Sequence, residues 1–233
     1  MKFDPPLISA TLLKRYKRFL ADVRFDDGTQ ATAHCANPGS MMGLAEPGST
    51  VWLSKSDNPK RKLAWSLELV DDERSLVGVH TGKANALVEA AVTNGDIQEL
   101  SGYETLRREV KYGENSRIDL LLEDPARPTT YVEVKSVTLS RTKGLAEFPD
   151  SKTTRGAKHM AELAEMAKQG HRAVVFFLVQ RSDCSRMQPA ADIDPKYAES
   201  LNAALAAGVE VLCYSCRLTP AEITLDRRLK VAI

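Results

Sequence analysis

The spacing of apolar and polar positions changes once along the chain, close to residue 80. Before that point the apolar positions come in short runs. The stretch "YKRFLADVRF" (16–25), the turn "DDG" and "TQATAHCA" (29–36) predict a β-hairpin. "ANPGSMMGLAEPGS" is a loop rich in Gly and Pro, and "TVWLSKS", "KLAWSLELV" and "SLVGVHT" predict three more short strands. Five short strands within about 80 residues, with no helical period between them, predict a small barrel of the oligonucleotide-binding (OB-fold) kind. An SH3-like barrel carries the same signature.

Beyond His80 the period lengthens. "GKANALVEAAVTNG" places Ala86, Leu87, Ala90 and Ala91 at helical spacing, and Gly95 closes the run. A strand in "YETLRREVKYG" and two more at 116–123 and 130–139 come next. "DSKTTRGAKHMAELAEMAKQG" predicts a second helix, with Asp150 or Ser151 as its cap and Met160, Leu163, Ala164 and Ala167 on its core face. "RAVVFFLVQ" is apolar throughout, the mark of a central strand covered on both faces. "DPKYAESLNAALAAG" predicts a third helix, "VEVLCYSC" a strand, and the tail a terminal strand. The expectation is two domains, a β-barrel over residues 1–82 and an α/β domain with a mixed sheet over 83–233.

Composition changes this picture little. The chain has 233 residues, 43% hydrophobic and 27% charged, as ordinary soluble globular proteins do. It holds no run of about 18 apolar residues to span a membrane and no signal-peptide core near the start, so a cytoplasmic location is expected. There the four cysteines stay reduced. Cys213 and Cys216 have the spacing of half a zinc site but lie in a predicted strand, where cysteine packs as a small apolar residue. The net charge of +1 does not advertise a polyanion partner. Locally, Lys14, Arg15, Lys17, Arg18 and Arg24 cluster, as do Lys55, Lys60, Arg61 and Lys62; such runs mark nucleic-acid surfaces and solvated strand edges alike.

The informative stretch is "RIDLLLEDPARPTTYVEVKSVTL" (117–139). Alternation puts Arg117, Asp119, Leu121 and Glu123 on one face of the first strand. It puts Tyr131, Glu133, Lys135 and Val137 on one face of the second. A hairpin centred near Arg127 sets Asp119 opposite Lys135 and Glu133 one diagonal step away, with Cβ atoms roughly 5–8 Å apart. An ion pair between Asp119 and Lys135 is one reading. The other starts from the cost of burying charges in apolar strands. Two acids against one base leave a surplus negative charge, which a hard divalent cation neutralises.

The order of elements around this pair resembles the core of the PD-(D/E)xK nuclease superfamily. "HCANPGSM", "SRIDLLLE", "YVEVKSVTL", "AEFPDSKTTRGAKHMAEL" and "VVFFLVQR" together resemble the sugar fermentation stimulation protein family over essentially the whole chain. The resemblance implies an OB-like barrel followed by a PD-(D/E)xK nuclease-like domain, DNA as partner, and a link by name to sugar, especially maltose, metabolism. It assigns the acidic pair to Asp119 and Glu133 and the lysine to Lys135, with Mg²⁺ or Mn²⁺ as cofactor and phosphodiester hydrolysis as the chemistry. Ile118 stands where the superfamily often has proline. Glu89, on the preceding helix, is a further candidate metal ligand. A non-catalytic DNA-binding regulator that keeps the fold as a grip is the rival reading.

Further candidates for nucleic-acid contact are Arg117, the helix start with Lys152, Arg155, Lys158 and His159, and in the barrel Arg24 and Asn37 of the "HCANPGSM" loop. Arg155 and His159 are spaced to share a face, and free N–H groups at a helix start favour phosphate. His159 reads equally as a structural histidine. Tyr16, Phe19 and Trp52 offer stacking surfaces or core packing. The contacts are expected to fall mostly on the nucleic-acid backbone, and RNA meets the same requirements as DNA.

Overall fold

The computed structural model describes residues 1–113 and 116–233. The N-terminal half is built from β1 (Ile8–Tyr16), β2 (Leu20–Arg24), β3 (Gln30–Cys35), β4 (Thr50–Lys55), β5 (Trp65–Asp71) and β6 (Leu76–Gly78). They run in the order β3-β2-β1-β4-β5-β6, and a further β3–β5 pairing closes the first five into a barrel. Inward residues such as Leu12, Val23, Ala33, Val51, Leu53 and Leu67 form its core. The "DDG" hairpin lies where the pattern placed it. The expected strand 16–25, however, is two: a turn at residues 17–19 separates β2 from β1, which the hydrophobic pattern missed. Lys17 and Arg18 adopt left-handed φ of 46° and 65° without a glycine to mark them, so the local sequence carries no turn signal.

The C-terminal half contains α1 (Ala84–Thr93), β7 (Thr105–Tyr112), β8 (Ser116–Asp124), β9 (Arg127–Val137), β10 (Leu139–Thr142), β11 (Leu145–Phe148), α2 (Thr154–Lys168), β12 (Arg172–Val179), β13 (Arg186–Pro189), α3 (Pro195–Ala206), β14 (Glu210–Leu218), β15 (Ile223–Arg228) and β16 (Lys230–Val231). A six-stranded sheet runs β15-β14-β12-β9-β8-β7. It is mixed: β12 lies parallel to β9 and β14, and the outer pairs are antiparallel. β12 shows why an all-apolar run becomes a central strand. Val174, Phe176 and Leu178 enter the core shared with α1, while Val175, Phe177 and Val179 enter the core under α2 and α3. Cys213 and Cys216 likewise point into opposite cores. A second sheet, β10-β11-β13-β16, adds strands that the pattern did not predict at β11 and β13; its strands are two to four residues long, too short for a readable alternation.

The α2 cap differs from expectation. Thr153, not Asp150 or Ser151, accepts from the Gly156 N–H at 3.0 Å. Asp150 instead joins the two halves: its carboxylate accepts from the Met41 N–H at 2.9 Å, and its carbonyl accepts from Ser40 Oγ at 2.6 Å. A second junction is buried. Arg181, 1% exposed, reaches Asp72 in the barrel at 2.6 Å, Asp183 at 2.7 Å and the Thr138 carbonyl at 3.0 Å. Among the described residues no helix is long and apolar enough to cross a membrane.

Candidate functional site

The hairpin that carries the acids turns tightly at Pro125–Ala126, where Asp124 Oδ1 accepts from the Ala126 N–H at 2.8 Å. The turn pairs Asp124 with Arg127, and a bulge then brings the register to Leu122↔Thr130, Leu121↔Tyr131 and Leu120↔Val132. Continuing that register sets Asp119 level with Glu133, a correction to the expected pairing with Lys135, which assumed a hairpin centred one residue later. The β8–β9 ladder ends at Leu120, and Asp119 fills the fork. Its Oδ2 accepts the Val134 N–H at 2.7 Å, and its Oδ1 accepts Asn85 Nδ2 from α1 at 2.7 Å. The strict alternation expected for β8 also breaks here. Ile118 packs with Leu121 in the core under α2, while Leu120 and Leu122 pack on the other side.

Glu133 is 2% exposed and takes its donors on one oxygen. Lys135 Nζ lies 2.8 Å from Oε1, and His159 Nδ1 of α2 meets the same oxygen in a very short contact. Oε2 is buried without a partner. Lys135 therefore pairs with Glu133, not with Asp119. Burial and the neighbouring Glu133 charge push Asp119 up to about 6. Burial acts on Glu133 in the same sense, but the His159 hydrogen bond and the Lys135 charge more than offset it and hold this group below the usual range.

This asymmetry bears on metal binding. Among the described residues no three His, Cys, Asp or Glu side chains gather as a complete ligand set. Two carboxylates lie level on the paired strands, one with a buried orphan oxygen and one kept basic by burial and by its neighbour's charge. Such a donor set suits a hard cation that retains waters, as Mg²⁺ does. Glu89 is not part of this network, because Arg108 binds it at 3.1 Å. The α1 residue that reaches Asp119 is Asn85, one turn earlier, which the sequence did not single out. Its only sequence signal is its i, i−4 spacing from Glu89.

A cleft of about 450 Å³ is walled by residues 37–39 of the barrel, the end of β9 and the start of α2; Asp119 and Glu133 do not line it, and Arg155 links its wall to them through His159. Arg18, Lys152 and Arg155 line it with positive charge. Two acids also line it: Glu147 is bound by Arg141 at 2.7 Å, and Asp150 faces the Met41 N–H. Asn37 is a wall element, not an exposed contact; it is 3% exposed, donates to the Val79 carbonyl at 3.1 Å and accepts from the Gly39 N–H at 2.9 Å. His159 is also buried, with Glu133 on one ring nitrogen and Arg155 Nε at 3.2 Å from the other. Arg24, Arg117 and Lys158 are exposed; Arg117 stands across from Lys111, and Lys158 pairs with Glu162 at 3.5 Å. Phe19 is exposed, whereas Trp52 packs into the core shared with the sheet. Arg15, first read as part of a basic surface, binds the carbonyls of Arg18, Asn37, Gly39 and Ser40 at 2.8–3.1 Å and so shapes the loop.

Gly39 abuts Asp150 so closely that a Cβ there would overlap the carboxylate. Gly39→Ala is expected to displace Asp150 from Met41 and lower stability by about 1–3 kcal/mol. Thermal unfolding measures this; an unchanged melting temperature would show that the junction yields freely.

A closed barrel joined to a mixed α/β sheet that carries an Asp…Glu-x-Lys pair defines a two-domain protein of the barrel-plus-α/β class. The description "Sugar fermentation stimulation protein RE domain" matches residues 82–222, and "SfsA N-terminal OB domain" matches residues 13–79. The chain belongs to the sugar fermentation stimulation protein family. It is 60% identical over 232 residues to the homolog of Rhodospirillum centenum, covering 100% of both chains. It is 56% identical over 233 residues to that of Maricaulis maris, covering 100% of this chain and 99% of the other. Among solved structures it is similar to Pyrococcus furiosus SfsA in complex with Ca²⁺, with 29% identity and a TM-score of 0.90 over 100% of this chain and 98% of that one.

Proposed function

We propose that this chain hydrolyses phosphodiester bonds of DNA, using a divalent cation, Mg²⁺ or Mn²⁺, held by Asp119 and Glu133. The observation that carries this reading is the buried, unpartnered Glu133 Oε2 beside an Asp119 carboxyl pushed up to about 6. The archaeal relative's complex with Ca²⁺, another hard oxygen-seeking ion, supports it. When bound there, a divalent cation would supply positive charge and lower the pKa of a coordinated water. Asn85 and the Val134 N–H hold the Asp119 carboxylate in place. Lys135 Nζ, anchored on Glu133, offsets negative charge as it grows on the phosphoryl oxygens. Arg18, Lys152 and Arg155 hold the flanking backbone in the cleft by charge.

Purified protein incubated with labelled duplex DNA, single-stranded DNA and RNA is expected to cleave DNA with Mg²⁺ or Mn²⁺ and to stop in EDTA. Salt-dependent binding without cleavage under any of these conditions would favour the rival reading, a DNA-binding regulator of sugar-metabolism genes.

Lys152 is exposed in the cleft wall. Lys152→Ala is expected to weaken DNA binding across sequences alike and to lower the slope of log affinity against log salt by about 1. Binding titrations at several salt concentrations read the slope. An unchanged slope would place the strand elsewhere.

A further inference from the structure

Two contacts on α2 are left over once a carboxylate pair and a basic cleft have been assigned. Arg155 and His159 lie one turn apart, and Arg155 Nε points at His159 Nε2 at 3.2 Å. A guanidinium N–H can only donate. His159 Nε2 must therefore accept, which puts the ring proton on Nδ1. That proton meets Glu133 Oε1, the same oxygen that Lys135 occupies at 2.8 Å. Two donors converge on one oxygen, and the other oxygen is buried and bare. His159 is 4% exposed, so the ring does not exchange these partners for water. Arg155, by contrast, is exposed and lines the cleft, so one side chain belongs to both the cleft wall and the carboxylate's support.

We propose that Arg155 and His159 act as a positioning pair for the metal-binding carboxylate: Arg155 selects the imidazole tautomer, and the imidazole turns Glu133 so that Oε2 stays open to the cation. His159 touches neither substrate nor cation; it acts through Glu133, as the outer hydrogen-bond partners of metal ligands do. The inference rests on the reading of Asp119 and Glu133 as a cation site, and it gives His159 a different place from a surface contact with nucleic acid.

The test separates a positioning role from simple packing by moving one donor. In His159→Asn the amide nitrogen takes the place of Nδ1; in His159→Gln it takes the place of Nε2; His159→Ala has neither. Mg²⁺ and Mn²⁺ affinities of the folded proteins are measured by calorimetry, alongside melting curves. The Gln and Ala variants are expected to bind about 10–100-fold more weakly than wild type, and the Asn variant less than about 10-fold more weakly. Arg155→Lys keeps the cleft cation but lacks Nε–H. In ¹⁵N spectra of the ring it is expected to release the tautomer that wild type holds with the proton on Nδ1. A wild-type ring protonated on Nε2 instead, or Gln binding as well as Asn, overturns the proposal even if the Ala variant fails to fold. Wild-type protein that binds neither cation overturns the metal site itself and the role of this pair with it. Failure of the pair alone shows differently, as wild-type binding that all the variants share.

Discussion

Asp119→Asn is expected to abolish cation-dependent cleavage and to leave the metal-free protein as stable as wild type, or more so, above pH 6. The sign follows from the raised pKa, which burial and the Glu133 charge push from the usual 3.8 up to about 6. Between about pH 4 and 6 the folded protein keeps a proton on Asp119 that the unfolded chain has released, so raising the pH through that window favours unfolding. At about 1.4 kcal/mol for each pH unit, the gap is worth about 3 kcal/mol at most. An amide never takes on the charge, so the variant escapes this loss. It can still accept from the Val134 N–H, and the Asn85 amide can turn to offer its oxygen. Added Mg²⁺ should stabilise wild type and not the variant, because a ligand stabilises only the state that binds it. Denaturant unfolding from pH 4 to 8, in EDTA and in Mg²⁺, resolves these terms. A variant less stable than wild type at every pH, with no Mg²⁺ effect on either protein, would mean that the carboxylates serve the fold alone.

Arg181→Met is expected to cost about 3–5 kcal/mol, the usual penalty for removing one partner from a buried ion cluster. Arg181 is almost fully enclosed and holds Asp72 of the barrel, Asp183 and the Thr138 carbonyl at once. Methionine fills much of the space but takes the buried guanidinium away from both carboxylates and the carbonyl, leaving Asp72 with Arg74 and the Ser75 N–H alone. Burial alone would raise Asp72 and Asp183; the Arg181 charge reverses this and holds both below the usual range. That stability is present above the unfolded pKa and is lost as the pH falls. The difference between the two proteins should therefore be largest near neutrality and shrink below about pH 4. Denaturant midpoints at pH 7 and pH 3.5 check both statements. A loss under about 1 kcal/mol at pH 7 would show that the apolar contacts between barrel and sheet suffice without the cluster.

Much of the fold can be read along the chain because each element satisfies a local rule. β12 is apolar at every position because both of its faces are covered, and α1 and α2 carry the helical period because each buries one stripe. The "DDG" hairpin is readable for the same reason, since its turn residues are written beside its strands. The acids and the lysine of 119–135 stand out because charge in apolar strands is costly wherever the strands end up.

Local pattern along the chain thus accounts for the order of the elements and for which of them carry chemistry. The tertiary structure decided who meets whom. No local signal marks the left-handed turn at Lys17 and Arg18, the bulge that brings Asp119 level with Glu133, or the break in alternation at Asp119. Three partners of the site also come from distant elements: Asn85 on α1 and His159 and Arg155 on α2, separated from Asp119 or Glu133 by 22 to 34 residues of chain. Hydrophobic periodicity reports how much of each side chain is buried, not what it is buried against. Arg15 and Asn37 read as surface groups for that reason, while the fold turns Arg15 of β1 onto the Asn37 and Gly39 carbonyls and Asn37 onto the Val79 carbonyl and the Gly39 amide.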